Sequence, residues 1–236
     1  MRIRIKFRKY GVMKFIGHLD MMRYFQKCIR RAGIDIAYSE GFHPHPLMSF
    51  AAPLGVGITS DGEYFDIVVN SSDTSKHSLY LLNEVMAEGI EVVSYRRLLD
   101  SDAKAMSVVA AADYKLQIRE NYEVPQMDYE AALNEFFYKP EEILITKKTK
   151  KSEKVIDLKK LVYDFHIDME QGRPVFYLKV STGSADNLKP ELVLQTFYEF
   201  TGQNLQPLSV QIHRIDVYGE VDEALVSLGE MGEIIE

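Results

Sequence analysis

The segment RIRIKFRK that follows Met1 alternates without a break: Ile3, Ile5 and Phe7 fall on one side, Arg2, Arg4, Lys6 and Arg8 on the other. A period of two belongs to extended chain, so the pattern predicts a β-strand with one buried face and one cationic face turned to solvent. In HLDMMRYFQKCIRRAGI the period changes. Met21, Met22, Phe25, Cys28, Ile29 and Ala32 gather on one side at about 100° per residue, and Arg23, Lys27, Arg30 and Arg31 lie opposite. Gly33 suits the C-terminal cap of that helix. A strand somewhere in 35–52, a strand over 63–70, a helix over 75–89 and a strand over 90–99 complete the order βαββαβ.

After the weakly patterned DSDAKAMSVVAAA, where Met106 to Ala112 could form a short helix, the order repeats. ADYKLQIRE reads as strand, DYEAALNEFFY as helix, LITKK, LVYDFHIDM and PVFYLKVS as strands, KPELVLQTFYEFTG as helix and LSVQIHRIDVYG as strand. EQGR between LVYDFHIDM and PVFYLKVS fits a hairpin turn, and Pro190 fits the first turn of its helix. The fold class expected is α+β, two tandem ferredoxin-like domains with antiparallel sheets; a single α+β domain is the alternative. The expected boundaries are 1–100, a connector 101–112, a second domain 113–218 and an acidic tail 219–236. Element order alone carries the duplication, since no residue-level repeat is visible.

The chain of 236 residues, 46% apolar, can supply a real core. Its apolar stretches are broken by charge well short of the roughly 20 residues that span a bilayer. The opening residues do not read as a signal peptide. These readings give the expectation of a cytoplasmic protein with no membrane contact. Cys28 is the single cysteine, so this chain alone builds neither an internal disulfide nor an iron–sulfur cage. The net charge of −7 hides a segregation. Residues 1–31 hold ten Lys or Arg against Asp20, while 219–236 holds six acids and no base and reads as a solvated tail. A second basic cluster runs over 147–160 and includes Lys147, Lys148, Lys150 and Lys151.

GFHPHPLMSFAAPLGVG, residues 41–57, places His43 and His45 between prolines in an apolar run. Three readings stay open: a metal site with His18 and Asp20, a general acid/base site, or a stiff loop whose Phe42, Leu47, Phe50 and Leu54 anchor it. No metal is assigned. Tyr38 is a further acid/base candidate, and Glu63 and Asp66 read as strand residues on a solvent or inter-strand face. Dinucleotide-loop, phosphate-loop and nucleophile-elbow motifs are missing. The concentration of cations in an acidic chain points to an anionic partner, with Tyr10, Phe15, Tyr24, Tyr38 and Phe42 as candidate stacking surfaces.

One stretch carries a resemblance. Lys6-Phe7, Phe15, His18-Leu19-Asp20, Arg23, Arg30-Arg31-Ala32-Gly33, Tyr38-Ser39, Gly41-Phe42, Pro44, Pro46, Ser49-Phe50, Pro53-Leu54, Gly57, Glu63 and Asp66 make residues 4–67 closely similar to the opening of bacterial radical SAM-linked proteins, a family built on a domain of unknown function. Asp157-Leu158 after the lysine cluster extends the similarity. The resemblance implies a stand-alone component working beside a radical SAM protein, which would carry the S-adenosylmethionine and the [4Fe–4S] cluster; no cofactor is expected in this chain. It also implies a setting in RNA metabolism. The family has Asn or His where His43 stands.

The function expected is an accessory protein, non-catalytic as an isolated chain, that binds tRNA or rRNA for the radical SAM partner. Arg2, Arg4, Lys6, Arg8, Arg23, Lys27, Arg30 and Arg31 would meet phosphates, Lys147, Lys148, Lys150 and Lys151 would extend the track, and Phe42, His43 and His45 would touch a base or the partner. Two alternatives stand beside it: an RNA-acting enzyme using His18, His43 or His45 with Asp20 or Tyr38, and an adaptor that docks only on the radical SAM protein.

Overall fold

In a computed structural model, which describes residues 1–99, 105–148, 153–183 and 186–236, the chain is mixed α+β with mostly antiparallel strands. It divides into two compact units, Met1–Ala111 with Arg214–Glu236, and Ala112–His213. The second boundary departs from the expected one: the chain re-enters unit 1 at Arg214, within the closing strand, so the later part of that strand and the acidic tail belong there while its first residues stay in unit 2.

Unit 1 is built on β1 (Arg2–Lys9), which pairs antiparallel with β3 (Thr59–Val68) on one side and β4 (Ile90–Arg97) on the other. The short β2 (Met48–Phe50) takes one stretch of the far edge of β3, giving the order β4-β1-β3-β2, and β10 (Val210–Val221) also lies beside β3. Gly62 permits that approach, since a Cβ there would stand 2.7 Å from Asp216 Cα and 2.8 Å from the Ile215 carbonyl oxygen. One face of the sheet carries Ile3, Ile5, Phe7, Phe65 and Ile67 against α1 (His18–Arg31) and α2 (Ser75–Asn83). Phe25 of α1 sits 4.6 Å from both Phe7 and Phe65, ring centre to ring centre, so aromatic edges fill the middle of this core.

The other face explains why β1 is not the solvent-facing cationic strand that its alternation suggests. Asp66 stands directly across from Arg4 in the strand register, and its two oxygens take the Arg4 guanidinium at 2.9 and 3.1 Å. The backbone N–H of Ala105, at the start of the one-turn α3 (Ala105–Val108), donates to the same carboxylate. Arg4 is 2% exposed. Lys6 reaches Asp216 at 3.3 Å over the Tyr64 ring. The Tyr64 hydroxyl donates to Asp216 at 2.5 Å, and both burial and that carboxylate push the phenol's pKa up. Arg2 donates to the Leu99 carbonyl, and Arg8 alone among these four remains largely exposed, beside Glu91 and Asp61.

The acidic segment 219–236 is folded onto unit 1, with its acidic side chains exposed. β11 (Ala224–Ser227) pairs with the end of β10 through a two-residue turn, Asp222–Glu223, with positive φ at both positions, the conformation tight hairpins favour. Leu228 is buried, Met231 Sδ accepts from Arg4, and Ile235 exchanges hydrogen bonds with Ser75. Glu233 pairs with Arg97 through both backbone groups and an ion pair of 2.8 Å. Together with Asn83, whose side-chain amide holds the N–H and C=O of Val92, this blunts the outer edge of β4.

Unit 2 has the strand order β10-β5-β9-β8, with β5 (Val109–Ile118), β8 (Val162–Glu170) and β9 (Arg173–Ser181). The expected EQGR turn joins β8 to β9, with Gln171 and Gly172 both at positive φ. Phe165, Phe176, Val193, Leu194 and Phe197 pack the core under α5 (Pro190–Phe200) and the helix α4 (Tyr129–Leu133), which widens to a π-turn over Asn134–Tyr138. LITKK is a strand, β6 (Leu144–Lys148), but among the described residues it pairs with β7 (Glu153–Asp157) alone, antiparallel, in a separate two-stranded sheet.

A second buried ion pair holds β10 in unit 1. Arg214 grips Glu63 with Nε–Oε1 at 2.7 Å and a second contact from Nη2, and both side chains are almost wholly buried. Breaking such a pair strands a charge at a cost of about 3–5 kcal/mol, whereas replacing both partners with apolar groups costs far less. Glu63→Ala is therefore expected to destabilise the chain by about that amount in urea unfolding, and Glu63→Leu with Arg214→Met to recover most of the loss.

Candidate functional site

Helix α1 positions the exposed cations that remain. Met21, Phe25, Cys28 and Ile29 bury one side of it, so residues a turn apart on the opposite side face solvent. The helix starts at Gly17 without a side-chain cap and ends with Gly33 at φ +69°, where the backbone N–H of Ile34 returns to the Ile29 carbonyl. Arg23, Lys27, Arg30 and Arg31 are exposed. Arg23 faces Asp20 at 3.1 Å, a pair open to water and worth only a few tenths of a kcal/mol. Lys27, Arg30 and Arg31 make no hydrogen bond or ion pair with any described residue. The helix dipole favours cations in the last turn, which accounts for Arg30 and Arg31 in part and not for Lys27.

His18 opens the helix half-buried, its ring edge-on to Phe50 with centres 5.3 Å apart. Beneath it lies a polar cluster that the sequence did not announce. Lys9, 3% exposed, donates to the Ile16 carbonyl at 2.7 Å, close to the Glu63–Arg214 pair, and Arg214 also donates to the Ala52 carbonyl. Burial lowers the Lys9 pKa, with Glu63 opposing and Arg214 assisting. Burial likewise lowers that of His18, with Glu63 opposing and Lys9 assisting. Glu63 and Asp66 are thus buried counter-ions and not residues of a solvent face.

The GFHPHP loop closes on itself. Tyr38 bridges to Pro46, Ser39 N–H donates to the His45 carbonyl, and Ser39 Oγ lies 2.8 Å from His45 Nδ1 and accepts the His45 backbone N–H. Gly41 at φ +105° makes the tip. His45 is therefore a fastener of the loop, while Phe42 stands fully exposed and Tyr38 and His43 are open to solvent. Among the described residues, no three His, Cys, Asp or Glu side chains gather closely enough to hold a metal ion. His18, Asp20 and His45 go to different neighbours: Phe50, Arg23 and Ser39. Lys147 and Lys148 lie in β6, and Lys150 and Lys151 lie outside the described residues.

The model of a bacterial family described as "Uncharacterized protein conserved in bacteria (DUF2344)" matches residues 2–190. The chain belongs to this family. A comparison with curated proteins gave no match. Among solved structures, the chain is similar to one from a Cbf5-Nop10-Gar1 complex at 10% identity and a TM-score of 0.45, with 91% of this chain and 48% of that one covered. It thus spans about half the length of that chain. An unknown protein from Galdieria sulphuraria aligns at 11% identity and a TM-score of 0.24, over 90% of this chain and 96% of that one. Among the described residues no helix is long and apolar enough to cross a membrane.

The lowered His18 pKa has a sign that can be checked. Below its unfolded value near 6.5 the unfolded chain binds the proton more readily, so stability falls as pH drops from there through the folded pKa. The His18 ring is expected to titrate below 6.5 by NMR, and His18→Asn to flatten the loss of stability over that window.

Proposed function

We propose that this chain is an RNA-binding accessory protein, and that the exposed face of α1 is its phosphate-contacting surface. One observation carries the reading: of the cations concentrated in residues 1–31, those on β1 at Arg4 and Lys6 are neutralised within unit 1, whereas Lys27, Arg30 and Arg31 are left solvated and unpaired. Three uncompensated charges on one helix, beside Arg23, suit a regularly spaced polyanion. Phe42 and Tyr38 at the loop tip offer aromatic surface for an unstacked base. The strand orders β4-β1-β3-β2 and β10-β5-β9-β8 support reading each unit as a ferredoxin-like βαββαβ module, with the β6–β7 hairpin inserted in the second.

The similarity of residues 4–67 to radical SAM-linked proteins supports a radical SAM protein as the partner that acts on the bound tRNA or rRNA. Such a partner would bring its own [4Fe–4S] cluster and S-adenosylmethionine. Cys28, buried in α1 with a pKa raised by that burial, has no second cysteine with which to form a cluster site. The adaptor reading keeps one observation in its favour. Val12, Phe15, Leu19 and Val56 are exposed apolar residues before and at the start of α1, and the hydrogen bond from Gly57 N–H to the Lys14 carbonyl ties the Val56 loop to that segment. A protein partner would cover them.

Salt titration of RNA binding separates the two. The account predicts a steep fall of affinity with salt, and removal of Arg23, Lys27, Arg30 and Arg31 together is expected to reduce the slope of log K against log salt by about 2 to 3 units. An unchanged slope, with radical SAM binding lost in Phe15→Ser/Leu19→Ser, would favour the adaptor.

A further inference from the structure

Unit 2 holds a groove of about 470 Å³, within the range that takes a nucleotide-sized ligand; Gln117, Arg119, Glu120, Glu170, Arg173 and Gln211 are among the residues lining it. Its walls are fixed by the backbone. Arg119 N–H donates to the Ser209 carbonyl, and Arg173 Nη2 donates to the carbonyls of Ile118, Arg119 and Tyr122 at 3.2, 3.0 and 3.0 Å. Arg173 thereby clamps the chain as it leaves β5 and holds Arg119 in place.

The Arg119 side chain itself is unspent. Its Nε is buried with no hydrogen-bond partner, and its guanidinium makes no ion pair with any described residue. Buried donors in native folds find a partner in the protein, in ordered water or in a bound ligand, and no protein group takes this one. The carboxylates nearby do not fill the role. Glu170 is engaged by Lys115 at 3.0 Å, by the Tyr177 hydroxyl at 3.3 Å and by Gln117 at 3.5 Å, and Glu120 is exposed. The groove thus brings together Arg119, a second arginine and the exposed Gln211.

We infer that this groove binds the phosphate group of a nucleotide-sized ligand, with Arg119 as the principal contact and Gln211 at the rim. A guanidinium presents paired N–H groups that match two oxygens of a phosphate, which a lysine does not. The site shares no residue with α1, so it stands or falls independently of the proposed RNA surface there. The phosphate has two sources, a free nucleotide or the backbone of a bound RNA.

The test uses the whole chain with three probes: pyrophosphate, AMP and a single-stranded RNA of about ten nucleotides. Calorimetry gives affinity, and the ¹H–¹⁵N signal of Arg119 Nε, assigned by its loss in Arg119→Gln, reports contact. Binding of AMP that shifts this signal and weakens at least about tenfold in Arg119→Gln, with a smaller loss in Gln211→Ala, is the expected result. Gln211 is exposed, so that variant keeps the test open if Arg119→Gln fails to fold. AMP bound as tightly as the oligonucleotide identifies a nucleotide site; an oligonucleotide bound at least about tenfold more tightly identifies an RNA backbone site. The variant lacking the four α1 cations is expected to keep AMP binding. No binding of any probe at millimolar concentration, or equal affinity in Arg119→Gln, would overturn the inference.

Discussion

The ion pair between Glu63 and Arg214 joins residues 151 positions apart, and the rest of unit 1 follows from it. A buried carboxylate on β3 needs a buried cation, and only the return of the chain at Arg214 provides one with both of its oxygens satisfied. Once β10 lies beside β3, Asp216 comes within reach of Lys6 and Tyr64. The segment beyond then runs over the polar face of the sheet, with Leu228 and Met231 laid against it and Glu233 at the edge of β4. Arg4 and Lys6 of the first strand are met by Asp66 and Asp216 and not by the acidic end of the chain, whose Glu233 pairs with Arg97.

That sorting is what gives the exposed cations meaning. Arg4, Lys6 and Lys9 are structural: Arg4 and Lys6 are each held by a carboxylate and Lys9 by a carbonyl. The α1 cations lie on the opposite side of their helix from the core, and among the described residues Lys27, Arg30 and Arg31 meet no carboxylate. The fold therefore removes Arg4, Lys6 and Lys9 from the cationic surface and leaves Arg23, Lys27, Arg30 and Arg31 exposed along one helix.

What the sequence reveals and what it hides follow one physical line. Periodicity reports local burial, so β1, α1, the β8–β9 hairpin and α5 are legible in it. It does not name partners. The alternation of β1 correctly marks two faces, but the acids that bury its second face stand at 66 and 216, and nothing local to Arg4 or Lys6 announces them. The acidic tail misleads for the same reason, since its pairing residues are distant in sequence. A clue was present at Arg214, an arginine amid the alternating apolar residues of QIHRIDVYG, and at Arg119, which breaks the end of its strand. The histidine loop shows a further limit. His43 and His45 look equivalent in HPHP, and only the Ser39 contact separates a fastener from an exposed ring.

The central claim is that the unpaired face of α1 contacts RNA. The most direct measurement is ultraviolet crosslinking of the tagged chain in living cells, with sequencing of the recovered RNA, against a variant in which Arg23, Lys27, Arg30 and Arg31 are neutral. The account predicts enrichment of a defined tRNA or rRNA segment that disappears in the variant while the protein stays folded. Recovery of no RNA above background, with a radical SAM protein retained equally by both forms, would contradict it.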